Sequence, residues 1–296
     1  MDFNCRVLVI GDIIRDIQRN CSTIGLSLES PTMKTQFENI KENLGGSANV
    51  VLNLLELGAN VDYISVINKN DRDLYKKISS TSKKCNFSPI YSSKFNTTSK
   101  ERIWISRGNQ TYKYLQINSK PNTNISTNLC NKILKKVMEK INNVDIVLVV
   151  DYRTGIFTEY LINSILEICK NHKVKVISSS QLSKGDKAKK SNHYLYRNYD
   201  LVVMNEEEYN ANNNISFKND PIITLGSRGS KIGNNIVPSF KVDEIDPTGA
   251  GDSFLSCVSL CYNKNISPIK ALKISNKWAS LAIKEIGTTV PKFKEL

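Results

Sequence analysis

No stretch of the 296-residue sequence is apolar over the roughly 20 residues that a bilayer-spanning helix needs. The opening Met1-Asp-Phe-Asn4 lacks the basic start of a secretory leader, and the apolar run Val7 to Ile10 is short. These absences point to a cytoplasmic protein with no membrane partner. Cys-x-x-Cys pairs are missing too. The seven cysteines (Cys5, Cys21, Cys85, Cys130, Cys169, Cys257 and Cys261) are odd in number and scattered, so they read as reduced core thiols, not as a disulfide framework. Histidine is scarce: His172 and His193 lie in polar surroundings without ligand partners at metal spacing, and both are expected on the surface, which excludes a zinc cage and a His-centred triad. Acidic residues are outnumbered, 28 against 41 basic, giving a net charge of +13. The lysines are spread among asparagines and form no tract, so no nucleic-acid partner is expected; a basic surface favours anionic small substrates instead.

The chain also has no linker, internal repeat or low-complexity tract, and its 40% hydrophobic content suffices for a large core, so residues 1–296 read as one domain. Short β-rich runs (Arg6 to Ile10, Val61 to Ile67, Ile146 to Val150, Lys173 to Ser178, Leu201 to Met204 and Ile222 to Leu225) alternate with amphipathic stretches. Leu129, Ile133, Val137 and Ile141 share one helical face, as do Leu161, Ile165 and Ile168. This alternation predicts an α/β fold with a mostly parallel central sheet covered by helices. Asp12, Asp151 and Asn205 each follow a strand, at the carboxyl rim where such sheets bind ligands. Two regions break the rhythm. Residues 13 to about 40 are polar around Pro31, and Lys100 to Ile117 reads as a hairpin turning at Arg107-Gly-Asn109; together they predict a separate small sheet, with lid segments near 13–40 and 95–118.

Asp246-Pro-Thr-Gly-Ala-Gly-Asp252 runs into the apolar segment Phe254-Leu-Ser-Cys-Val258. Small residues at Gly249, Ala250 and Gly251 let backbone amides approach an anion at a helix N-terminus, and Asp252 in the first turn can take a proton. That combination reads as a phosphoryl-transfer site. The alternative is a tight turn whose first-turn carboxylate offsets the helix dipole. Leu44-Gly-Gly-Ser-Ala-Asn49 is a second glycine motif, followed by Val51, Leu52 and Leu55 at helical spacing and closed by Gly58. Its Asn49 amide suits sugar hydroxyls, although a glycine turn merely opening a core helix fits equally.

With both motifs in this order, the chain resembles the ribokinase-like (PfkB) carbohydrate kinases over nearly its whole length, from Val7-Leu-Val-Ile-Gly-Asp12 to Gly287-Thr-Thr-Val-Pro291. Within that family it is most similar to the heptose 7-phosphate kinases of ADP-heptose synthesis, through Gly11-Asp12-Ile-Ile-Arg-Asp16, Glu29-Ser-Pro31, Gly45-Gly-Ser-Ala-Asn49, Lys100-Glu-Arg102, Asn109-Gln110 and Asp151-Tyr152. The resemblance implies a three-layer sandwich with a small β-sheet lid that closes over the sugar and pairs with a second subunit's lid in a homodimer. It implies ATP and magnesium as cofactors, with a monovalent cation near Asp246 and Thr248 in some relatives. Asp252 would be the base, with Gly249, Ala250 and Gly251 holding the transferring phosphate. Asp12, Asp16, Gly45, Gly46, Asn49 and Asp151 would contact the sugar. Lys100 and Arg102, with Arg107 and Arg153, would meet any phosphate it bears. Asn205, Thr224, Gly226, Gly229 and Thr248 would contact the nucleotide, and Glu208 would hold magnesium through water. The chain departs from those kinases at Ser178-Ser-Ser-Gln181, where they carry an Asp-Pro-Lys-like segment, and at Arg153-Thr-Gly155, where they have Gly-Lys-Gly. It ends at Leu296 without room for a nucleotidyltransferase domain, so that step would fall to another protein. Two alternatives remain: a PfkB-type kinase for another sugar or a nucleoside, and a non-catalytic sugar- or nucleotide-binding regulator.

Overall fold

The computed structural model describes residues 3–108, 110–119, 122–182, 192–212 and 214–296. Two sheets organise the described residues. The larger has nine strands, in the order β13-β12-β11-β10-β9-β8-β1-β4-β5. In chain order these are β1 (Arg6–Gly11), β4 (Asn60–Asn68), β5 (Cys85–Ser92), β8 (Ile146–Asp151), β9 (Lys175–Ser180), β10 (Leu201–Asn205), β11 (Ile222–Thr224), β12 (Ser230–Ile232) and β13 (Asn235–Val237). Neighbours from β5 to β11 pair in parallel, and only β12 and β13 turn back antiparallel.

Continuous apolar strands are what a sheet covered on both faces requires, and the side chains divide accordingly. Val7, Val9, Ile146, Leu148 and Val150 face a core with α1 (Ser47–Glu56), α6 (Ala250–Asn263) and α7 (Pro268–Ala282); α2 (Arg72–Ser79) adds Leu74 and Ile78. Leu8, Ile10, Val147 and Val149 face the other core, with α3 (Thr127–Lys140) and α4 (Glu159–Asn171). The expected α/β architecture is therefore present, with layers of helix, sheet and helix. A short α5 (Glu206–Asn210) follows β10 directly, with Asn205 and Glu208 forming a reciprocal capping box. The predicted strand at Lys173 to Ser178 starts two residues later, because Lys173 takes a left-handed turn (φ 56°) out of α4. No helix among the described residues is long and apolar enough to cross a membrane.

Strand order reverses at β1: the chain first adds β4 and β5 on one side, then β8 to β13 on the other. The crevice beyond the carboxyl ends of β1 and β8 is thus the topological place for a ligand.

Over that crevice lies a four-stranded sheet, ordered β3-β2-β6-β7, made of β2 (Ile13–Leu26), β3 (Met33–Gly46), β6 (Thr98–Arg107) and β7 (Gln110–Asn118). The hairpin of β6 and β7 pairs Arg107 with Gln110; Asn109, predicted at its turn, lies outside the described residues. One guanidinium fastens this sheet to the body: Arg15 of β2 reaches Glu42 at 2.6 Å and, across to α2, Asp71 at 3.0 Å and Asp73 at 2.6 Å. Large apolar side chains on the sheet and its hairpin ends are exposed, among them Ile24, Leu26, Leu28, Phe37, Ile40 and Leu115.

Candidate active site

The Gly-Ala-Gly-Asp segment forms the start of α6, as its small residues and following apolar run predict. Gly249 caps the helix at φ 89°, a conformation that favours glycine, and a Cβ there would meet the Asn49 Nδ2 at 2.9 Å. Its job is close packing against α1. The Ala250 N–H turns back onto the Pro247 carbonyl at 3.3 Å, whereas the amides of Gly251 and Asp252 make no backbone bond among the described residues. Two consecutive first-turn amides therefore point where the helix dipole favours an anion.

Asp252 is only 7% exposed. Its Oδ2 accepts from the Asn49 Nδ2 at 2.9 Å and its Oδ1 from the Tyr152 hydroxyl at 2.5 Å. Burial pushes the carboxyl up to about 6, with the Tyr152 and Asn49 hydrogen bonds and the Lys100 ammonium pulling the other way. The Asn49 amide is itself oriented: Asn53 donates to its carbonyl oxygens at 2.9 and 3.3 Å, and the buried Trp278 indole donates to Asn53 at 2.8 Å. A line of core contacts through α7, α1 and α6 thus aims one carboxylate.

Two cavities meet beside it. One of about 100 Å³ is lined by Asp151, Tyr152, Gln181, Asn205, Glu208 and Asp252. The other, about 360 Å³, is lined by Thr224, Gly226, Gly229, Ala250 and Gly251, with Ala279 of α7. Thr224 and Gly251 border both. A Cβ on Gly226 or Gly251 would meet no atom within 4 Å, so at these two positions the backbone is bare to the cavity; Gly229 instead packs on Val237 and Pro238. Glu208 accepts from the Asn205 N–H at 2.7 Å, and burial pushes its carboxyl up to about 7. A group raised that far by burial favours a nearby cation. Thr248, expected at the nucleotide, folds onto Asp246, donating to Oδ1 through both N–H (3.1 Å) and hydroxyl (2.7 Å). Asp246 is buried and also accepts from the Gly287 N–H at 2.9 Å.

Asp12 and Asp151 sit together at the rim but spend their oxygens on the chain. Asp12 accepts from the Tyr152 N–H and the Thr154 hydroxyl, both at 2.6 Å, and burial pushes it up to about 7. Asp151 accepts from the Arg153 N–H at 2.7 Å and from the Ser180 and Tyr196 hydroxyls at 2.9 Å; burial raises it as well. Together they brace the turn 151–154, in which Arg153 adopts φ 57°. Gly45 and Gly46 likewise serve backbone packing, since a Cβ on Gly46 would lie 2.5 Å from the Asp12 carbonyl.

From the small sheet, Asp16 is buried, pairs with Arg102 and accepts from the Thr288 N–H at 3.4 Å and hydroxyl at 3.3 Å. Arg102 is only 8% exposed, so it is no solvated surface cation. Lys100 places its ammonium over the Tyr152 ring, 5.2 Å from the centroid. Arg107, by contrast, is exposed at the end of its strand.

The structure corrects one expectation outright. His193 is fully buried, its Nε2 4.0 Å from the Glu208 Oε2, and burial holds its pKa down to about 4. The signal available in sequence was Tyr196, three residues on and buried with it, whereas Tyr194 between them is exposed. His172 is half-buried and bonded to Asn142 at 2.7 Å. Tyr152, marked in sequence only within the Asp151-Tyr152 segment, and Asn53, one helical turn after Asn49, were given no role in the site by the sequence; the contacts of Tyr152 with Asp252 and of Asn53 with Trp278 are tertiary.

A profile for the pfkB family carbohydrate kinases matches residues 5–294. Among curated proteins, the bifunctional protein HldE of Campylobacter concisus is 29% identical over 98% of this chain and 63% of its own length. HldE of Syntrophotalea carbinolica is 25% identical over 98% of this chain and 62% of its own. The chain therefore spans somewhat under two thirds of these relatives. Phosphofructokinase-2 from Escherichia coli, solved with substrates and products, superimposes with a TM-score of 0.75 at 14% identity, covering 98% of this chain and 96% of that one. Ribokinase from Thermotoga maritima gives 0.65 at 17% identity, covering 98% and 97%.

Proposed function

The chain belongs to the pfkB family of carbohydrate kinases, and we propose that it transfers the terminal phosphate of ATP to a hydroxyl of a heptose 7-phosphate, with Asp252 as the base. The observation that carries this reading is the buried Asp252 carboxylate, held by Asn49 and Tyr152 where the two cavities meet. ATP would supply the phosphoryl group, and a magnesium ion held through water by Glu208 would screen its charge. Thr224, Gly226 and Gly251 fit the nucleotide because they line the larger cavity and, at both glycines, leave the backbone open. Asn205 and Glu208 fit the phosphate and metal end, on the far side of Gly251. Asp252 takes the proton of the attacking hydroxyl as the new oxygen–phosphorus bond forms, and the Gly251 and Asp252 amides offset the charge on the transferring group.

The heptose phosphate rests on the motif resemblance and on the full-length similarity to proteins called HldE. Arg102 and Lys100 enter the crevice from the small sheet with opposite surroundings, Arg102 already opposed by Asp16 and Lys100 on the Tyr152 face. Lys100 is the better placed of the two for an acceptor phosphate. ATP turnover against a panel of free sugars, nucleosides and sugar phosphates, including heptose 7-phosphate, tests the assignment. Turnover confined to the heptose phosphate is expected. Turnover on a free sugar or nucleoside replaces the acceptor, and ligand binding without product would indicate a regulator.

The exposed apolar face of the small sheet supports self-association through that sheet. Sedimentation should give a dimer that Leu26→Lys combined with Phe37→Lys dissociates; a wild-type monomer at micromolar concentration would contradict it.

A further inference from the structure

We propose that Tyr152 is a positioning residue for phosphoryl transfer, its hydroxyl fixing the rotamer and charge of Asp252, and that the paired carboxylates of Asp12 and Asp151 exist to aim it. This rests on the reading of Asp252 as the base.

The geometry is a relay of fixed contacts. Tyr152 follows the last residue of β8, and its main chain cannot swing, because the Asp12 Oδ2 holds its N–H at 2.6 Å and the Asp151 Oδ1 holds the next one, of Arg153, at 2.7 Å. The Thr154 hydroxyl closes the turn onto the other oxygen of Asp12. The ring is then capped by Lys100 from the small sheet, and the hydroxyl ends 2.5 Å from the Asp252 Oδ1. Asn49 holds the other oxygen at 2.9 Å. With one donor on each oxygen, the plane of the carboxylate is set while lone pairs remain for an incoming hydroxyl.

Burial alone would keep Asp252 protonated, and a protonated carboxyl cannot accept a proton. The donors from Tyr152 and Asn49 stabilise its anionic form and offset part of that effect. Tyr152 keeps its own proton throughout, since burial and the neighbouring Asp252 push the phenol well above its ordinary range. Its part is therefore to orient and to hold charge, and the acceptor's proton ends on Asp252. Lys100 belongs to β6, so the small sheet itself touches the ring that holds the base.

Tyr152→Phe keeps the ring, the Lys100 contact and the volume, and removes only the donor. The carboxyl carbon of Asp252, identified by its loss in Asp252→Asn, is titrated by ¹³C NMR in the ligand-free protein. Removal of the hydroxyl should raise its midpoint by about one pH unit, which means about tenfold lower kcat/KM below the acid limb and little change above it. The KM for ATP should not move. If Tyr152→Phe does not fold, 3-fluorotyrosine at position 152 replaces it; this more acidic phenol donates more strongly and should move the midpoint downward. A midpoint unmoved by either change overturns the role of Tyr152. The titration needs no acceptor, so it stands apart from the kinase reading: an Asp252→Asn variant with full turnover would remove the base itself, whereas a dead Asp252→Asn beside an unaltered Tyr152 variant removes only the positioning role.

Discussion

Asp252→Asn should leave nucleotide binding and the melting temperature close to wild type while lowering turnover by roughly 10²–10⁴-fold, the usual worth of a positioned base. The substitution is nearly isosteric, and it can still accept through its carbonyl the hydrogen bond that Asn49 or Tyr152 now gives to the carboxylate. What it removes is the ability to take a proton. The pH dependence provides a second signature. Burial raises the folded-state carboxyl to about 6, so wild-type kcat/KM should rise with pH through that value as the proton leaves, and this limb should be absent from the residual activity of the variant. Turnover of Asp252→Asn within severalfold of wild type would mean that the proton leaves by another route.

Gly249→Ala should be almost as damaging, for a different reason. The added Cβ lies 2.9 Å from the Asn49 Nδ2, closer than carbon and nitrogen approach without displacement, and φ of 89° strains any L side chain. Asn49 cannot yield freely, since Asn53 and Trp278 hold it from behind. Displacing its amide by a few tenths of an ångström weakens the bond that aims Asp252, and misplacement of a reacting group can lower turnover on the order of 10²-fold. The left-handed conformation adds about 1–2 kcal/mol of instability. Gly251→Ala is the contrast two residues on: no atom lies within 4 Å of its would-be Cβ, so the fold should be unaffected and the deficit should appear only when a nucleotide fills the cavity. Calorimetric melting of both variants with and without ATP separates the cases; an unaltered Gly249→Ala enzyme would show that Asn49 does not govern the base.

Much of this site was legible in sequence because its elements are local. The Gly-Ala-Gly-Asp segment announces a bare loop and a helix within seven residues, and the apolar strands announce a sheet buried on both faces. The small sheet was legible as a break in the rhythm, yet not the length of β2 and β3, 14 residues each, whose polar alternation carries no core signal. The roles of Asp12 and Asp151 were harder to read. Their position after strands marks them as rim residues, but whether a rim carboxylate faces a ligand or its own backbone depends on a turn 140 residues away in sequence, that of Tyr152 to Asp12. Tyr152 was legible only as part of the Asp151-Tyr152 segment and Asn53 only as one helical turn beyond Asn49, neither showing its partner, and His193 was expected on the surface because the residues before it are polar, whereas it is buried beside Glu208.

The most direct test is ³¹P NMR of ATP, magnesium and heptose 7-phosphate incubated with the wild-type protein and with Asp252→Asn side by side. ADP together with a new sugar phosphate ester, formed by the wild type and absent with the variant, is the predicted result. ADP with inorganic phosphate alone, or the same ester at equal rate from the variant, would contradict phosphoryl transfer through Asp252.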